Sequence, residues 1–198
     1  MVQLDLFSRF LYEPFLKVFH RTFSLEVPKA PNKHTYFSID NPVYSSFMVT
    51  LMQRMEPRFD HARTIVYGEL DEVTEVILYL NGKFDIGFEV NSKSFFALRY
   101  TNKLTSIDEN QEQKGKLERE GNAGEIIGDF GCTMNKTSRF IYRCATLCDG
   151  FFIRKSSWVD ILKEHSFVAK SLKAKICKRH ARQVVLVERH KKCEIEKF

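Results

Sequence analysis

Glu75-Val76-Ile77-Leu78-Tyr79-Leu80-Asn81-Gly82-Lys83-Phe84-Asp85-Ile86-Gly87-Phe88-Glu89-Val90 decides how the middle of this chain folds. Its second half sets Lys83, Asp85, Gly87 and Glu89 against Phe84, Ile86, Phe88 and Val90, the period of two of a strand with one buried face. Its first half, Glu75 to Leu80, is a β-type run. Asn81-Gly82 between them is the strongest short-range signal for a hairpin, so the spacing predicts two strands turning at 81–82.

Working outward, β-type runs recur at Thr64 to Tyr67, at Phe95 to Tyr100 beyond a turn at Asn91-Ser92-Lys93, at Phe140 to Leu147 and at Phe151 to Arg154. Helical spacing flanks them. Asn41-Pro42 reads as a helix start, with Asn as cap and Pro at the first position. Val43, Phe47, Met48, Leu51, Met52 and Met55 continue its apolar face until Pro57 stops it. Earlier, Phe7, Phe10, Leu11, Phe15, Val18 and Phe19 share one face that Pro14 interrupts, predicting helices at 4–12 and 14–23. Pro28 and Pro31 mark 27–40 as a loop. On the far side, Ser157-Trp158-Val159-Asp160 reads as a capping box opening a helix that carries Ile161 and Leu162, and a second helix follows over about 168–187. Thr105 to Glu125, with six acids, three bases and almost no apolar residue, reads as a mobile insertion. The expected fold class is α+β: an antiparallel β-roll, jelly-roll-like, flanked by N-terminal helices and C-terminal hinge helices.

A length of 198 residues suits one domain of roughly 150 residues with helical material at its ends. A composition 43% hydrophobic and 28% charged argues against global disorder. Asp5, Arg9, Glu13, Lys17 and Arg21 interrupt the Phe-rich start, so neither a spanning helix nor a signal peptide is expected there. Five Cys without a secretory signal read as reduced, intracellular thiols. The net charge is +6, yet Ala169 to Phe198 alone carries ten Lys or Arg and three Glu, so residues 1–168 sum to about −1. That basic segment reads either as a solvated helix face or as a contact for acidic lipid head groups or an acidic partner. With no aromatic between Phe167 and Phe198, nucleic acid is not expected as a partner.

Catalytic motifs are missing: there is no Gly-x-Ser-x-Gly, no P-loop and no Gly-x-Gly-x-x-Gly, and no enzyme is expected. Cys144 and Cys148 read as small apolar thiols, the six His do not pair at ligand spacing, and no metal site is expected. One segment has the makings of a ligand site. Between two predicted strands, Ile126 to Phe140 contains Gly128, Asp129, Phe130, Gly131, Cys132, Ser138 and Arg139. Backbone amides from Gly128 to Cys132 and the Arg139 guanidinium suit an anion, and Asp129 suits a ribose hydroxyl. The same residues also make an ordinary Gly-containing turn.

Helices, a β-roll, the Gly128-Asp129 segment, then Phe152-Ile153-Arg154-Lys155-x-x-Trp158-x-x-Ile161-Leu162 resemble, in that order, a cyclic-nucleotide-binding domain. The chain is most similar to the cytoplasmic gating domain of cyclic-nucleotide-regulated and voltage-gated cation channels of the potassium-channel superfamily. The resemblance implies a non-catalytic regulatory module, with cAMP or cGMP as ligand and no cofactor. It divides the chain into a linker-like helical segment at 1–41, a binding-like domain at 42–187 and a basic tail at 188–198. It implies a place at the cytoplasmic face of a membrane, with channel pore or linker segments or a homotetramer as partners and an anionic membrane surface met by 169–198. In the family a phosphate-binding cassette reads Gly-Glu, a short helix, then Arg followed by small residues. Gly128 and Asp129 match its start, but Ser138 holds the Arg position and Arg139 comes one residue late. A one-residue shift along a strand turns a guanidinium to the other face. Either a bulge over 135–139 restores Arg139, or the site is degenerate and filled by the chain's own tail, for which Val184-Val185-Leu186-Val187 is the candidate plug. Alternatives to a channel module are a freestanding cAMP or cGMP sensor resembling the regulatory subunit of a cyclic-AMP-dependent kinase, and a basic-tailed scaffold at a membrane surface.

Overall fold

Pro42 is the first residue of helix α1 (Pro42–Gln53) in the computed structural model, which describes residues 42–102 and 126–196. The helices expected at 4–12 and 14–23, the loop at 27–40, the Asn41 cap and the insertion at 105–125 lie outside the described residues. α1 buries Tyr44, Phe47, Met48 and Leu51, a stripe at spacings of three, four and seven. It ends at Gln53, ahead of Pro57, which is not the stop the sequence suggested. Pro57 lies inside β1 (Glu56–Asp60), paired with β7 (Cys148–Arg154) at the end of the sheet order, an edge position that tolerates a residue without an amide proton.

The expected hairpin at Asn81-Gly82 is not formed. β3 (Glu75–Val90) runs unbroken through it, and the chain reverses at 91–92 instead, where Val90 pairs with Lys93 of β4 (Lys93–Asn102). Gly82 has φ +107°, and a Cβ there would lie 2.5 Å from the Leu147 carbonyl oxygen. The positive φ that would serve a hairpin here bends one long strand, with a register shift between Tyr79 and Asn81. Before the bend β3 pairs with β7 and with β5 (Ile126–Ile127); after it, β3 pairs with β4 and β6 (Ile141–Cys144). The short β2 (Ile65–Tyr67) closes the far edge on β6. All these pairings are antiparallel, and β3 belongs to both halves of the curled sheet. This is the expected antiparallel roll with flanking helices.

Tyr79, Phe84, Ile86 and Phe88 of β3 are buried with Phe140 and Trp158 in one contiguous core. Asp85 breaks the polar-out pattern: it is buried, with Arg99 Nε at 2.7 Å and Arg143 Nη2 at 2.8 Å. Burial alone would raise its carboxyl, but the two guanidinium groups outweigh that and hold it below the usual carboxylate range. Cys144 and Cys148 are buried free thiols.

Helix α2 (Asp129–Met134) follows β5, and α3 (Lys155–Glu164) and α4 (Ser166–Ile195) complete the described chain. α3 begins at Lys155, two residues before the expected capping box, and has no side-chain cap; the Lys155 amide donates to the Thr74 carbonyl of the loop before β3 instead. Ser157 therefore lies within the helix. α4 has 30 residues and continues past 187 to Ile195 without a break. His165, the joint between α3 and α4, is 3.0 Å from Thr50 Oγ1 and packs edge-on against Phe47 of α1.

Candidate functional site

β5 delivers the chain to Gly128, whose φ of +83° turns it sharply into α2. A side chain is excluded there, since a Cβ would sit 2.2 Å from the Glu75 carbonyl oxygen. One short turn of helix then presents Asp129, Phe130, Gly131 and Cys132, and closes at Asn135 in the left-handed conformation. Trp158 of α3 braces it from behind, donating its indole N–H to Thr133 Oγ1 at 2.9 Å. Cys132 is buried, and burial pushes its thiol up to about 12.

Asp129 is only 4% exposed and forms an ion pair with Arg179, which comes from α4, fifty residues later. Arg179 also donates to the Ile126 carbonyl at 3.3 Å, so one guanidinium fastens α4 to both β5 and α2. Desolvation raises the Asp129 carboxyl above its ordinary value, with the Arg179 charge acting against it. Next along α4, His180 lies flat on Phe130, ring centroids 3.7 Å apart and planes 7° from parallel, with Phe140 at 5.6 Å on another side. Burial, helped by the Arg139 and Arg179 charges, pulls the His180 imidazole down to about 4, so at neutral pH the stacked ring is uncharged.

Ser138 is buried and turned onto its own chain. Its hydroxyl donates to the Phe140 carbonyl at 2.7 Å, its amide donates to Asp71 and its carbonyl accepts from Leu70. Arg139 faces the other way, its side chain 55% exposed, and meets Glu188 of α4 at 3.1 Å. The structure thus gathers Gly128, Asp129, Phe130, Gly131 and Cys132 on one short helix but does not aim Asp129 and Arg139 at a common point. Both carry partners from α4. The run Val184 to Val187 is split by the helix period: Val187 is buried, Val184 and Leu186 are partly buried and Val185 is exposed. Arg179, His180 and Glu188 of α4 meet the Gly128–Arg139 segment, and sequence reasoning did not single them out. A polar residue in a long basic helix gives no local sign that it will face inward.

This roll with its flanking helices is the fold of cyclic-nucleotide-binding domains. The catabolite activator protein of Thermus thermophilus matches with a TM-score of 0.52 and 9% identity, over 71% of this chain and 56% of that one. The c-di-GMP-responsive global regulator CLP of Xanthomonas campestris matches with a TM-score of 0.51 and 15% identity, over 73% of this chain and 61% of that one. The chain therefore spans about 56–61% of the length of these neighbours. At such identities the likeness is one of fold. No protein-family model matches the sequence, and no curated protein matches it.

Proposed function

We propose that this chain is a regulatory module of the cyclic-nucleotide-binding fold whose cassette is engaged by its own C-terminal helix. The observation that carries this reading is the buried Asp129–Arg179 pair with His180 stacked on Phe130: the acid in the ribose position and the aromatic beside it are both occupied from within. Ser138, in the position of the phosphate-binding Arg, has no charge to offer, and Arg139 is turned to the surface. A module of this kind works by the balance between docked and released α4, and anything that favours one state shifts the other. The test is isothermal titration of cAMP and of cGMP into the full chain. No heat of binding is expected up to about 1 mM ligand, and micromolar affinity in the unaltered protein would overturn the reading.

The setting we favour is the cytoplasmic face of a membrane, where α4 would report to the pore of a cation channel through a tetramer. Its support is the resemblance of the helical start and roll to channel gating domains. A freestanding sensor is favoured instead by the likeness in fold to the global regulator CLP and to the catabolite activator protein. Native mass measurement on the full chain separates them: a tetramer supports the channel setting and a monomer the freestanding one.

A further inference from the structure

Cys144 ends β6 and Cys148 begins β7, and the register draws the two together. Cys144 stands opposite Phe84 of β3, while Asp149 stands opposite Asn81. β3 has two residues between those positions and the other side has four, Ala145 to Cys148, so the chain loops out there. The loop wraps around Lys83. Ala145 and Thr146 both donate their amides to its carbonyl, at 2.8 and 3.2 Å, and its own amide donates to Thr146 Oγ1 at 2.8 Å. Cys148 comes to rest against Gly82, where an added Cβ would lie 2.6 Å from the Cys148 Sγ. The two Cys are therefore as far apart as Phe84 and Gly82, a span of about 6.6 Å, which a disulfide can bridge.

Both thiols are buried and hydrogen-bonded to each other. Polar groups meet them on both sides. Cys144 Sγ is 3.4 Å from the Tyr79 hydroxyl, which donates to Asp60 Oδ2 at 2.6 Å, and Arg58 Nε holds Asp60 at 2.5 Å. Cys148 Sγ is 3.3 Å from the Lys83 carbonyl oxygen. The bond from Cys148 holds the Cys144 thiol below its ordinary range, against the effect of burial, and the same bond together with burial raises Cys148. One sulfur is thus the nucleophile, and the other waits beside it as a thiol. Two residues that only filled the core would need no polar partners.

We propose that Cys144 and Cys148 are a redox-reactive pair that hydrogen peroxide converts to an intramolecular disulfide. The Cys144 thiolate attacks one peroxide oxygen, the O–O bond breaks, and the hydroxide that leaves takes up the proton lost from Cys144. The Cys148 sulfur then attacks the sulfenic sulfur, the S–S bond forms, and a second hydroxide leaves with the Cys148 proton. Two thiols and one peroxide give one disulfide and two waters, with two electrons passing from sulfur to oxygen. The thiols are buried behind a loop whose Thr146 and Leu147 are exposed, so a small uncharged oxidant suits the site. The pair does not depend on what fills Gly128 to Arg139.

The experiment treats the full chain with hydrogen peroxide, alkylates it with N-ethylmaleimide after denaturation, and weighs its tryptic peptides. Cleavage after Arg143 and Arg154 releases 144–154, which holds both thiols and no other Cys. That peptide should carry no alkyl group and be two hydrogens lighter than its reduced form, and dithiothreitol should restore it. Cys132, whose thiol faces the Val73 carbonyl at 3.7 Å, should stay reduced at the same dose. Cys148→Ser should stop at a sulfenic acid trapped on Cys144 by dimedone, and Cys144→Ser should slow oxidation of Cys148 by about tenfold or more. Circular dichroism checks both variants for folding. Full alkylation of 144–154 at a dose that oxidises the exposed Cys193 would overturn the proposal, as would pairing of either thiol with Cys193. Oxidation of Cys132 at the same rate would overturn it too, because the pairing would then confer nothing.

Discussion

Asp129 would be costly to bury alone, and Arg179 is the group that makes its burial tolerable. Removing one partner leaves an uncompensated charge in a closed site. Arg179→Ala is therefore expected to destabilise the fold by about 3 kcal/mol, with a coupling of about 2 kcal/mol to Asp129→Ala in a double-mutant cycle read by urea unfolding. His180 gives a pH signature. Its ordinary value is 6.5 and its folded value about 4, so the folded chain resists its protonation. The stability this ring contributes is complete above pH 6.5 and is lost as the pH falls from there toward 4. An NMR titration should place the His180 midpoint near 4, and His180→Phe, which keeps a ring on Phe130, should remove that part of the acid sensitivity. A midpoint near 6.5 would mean the ring is not held against the cassette. Of these residues only Asp129 was legible in the sequence, through its place after Gly128. Arg179 and His180 act across fifty residues of chain, and nothing in their neighbours marks them off from Lys178 or Arg182.

At the scale of elements, β3 shows where period and turn chemistry are read separately. Alternation over 83–90 gave the strand and its buried Phe84, Ile86 and Phe88 correctly. Asn81-Gly82 was misread because a Gly at positive φ suits a hairpin and a strand bend alike, and only the pairing of both halves of β3 with other strands distinguishes them. Gly82→Ala is expected to cost 2 kcal/mol or more in urea unfolding, roughly the strain of a positive φ plus a contact too close to exist. A change below about 0.5 kcal/mol would show that the bend does not need glycine. Two short elements, β5 and α2, escaped the periodicity argument because two and six residues are too few to display a period. The helix in the cassette was foreseen only through family resemblance.

At the scale of the whole molecule, a curled sheet is flanked by α1, α2 and α3 and crossed by one long helix that touches all three of them as well as β3 and β4. The basic charge of the chain is concentrated on that helix. Arg179 turns inward to Asp129, Lys191 lies over the Phe88 ring at 5.6 Å, and six bases face out. Roll and helices were readable from sequence because burial imposes local periods; the docking of α4 was not, because it depends on pairs formed across the fold. Its docking on Asp129 and Phe130 is the central claim. Amide hydrogen exchange of 129–134 and 176–187 in the full chain without nucleotide tests it most directly. Both segments should exchange slowly, stay unchanged when cAMP is added, and lose protection together in Arg179→Ala. Fast exchange at 129–134 while β3 stays protected, or slow exchange there only once cAMP is present, would contradict it.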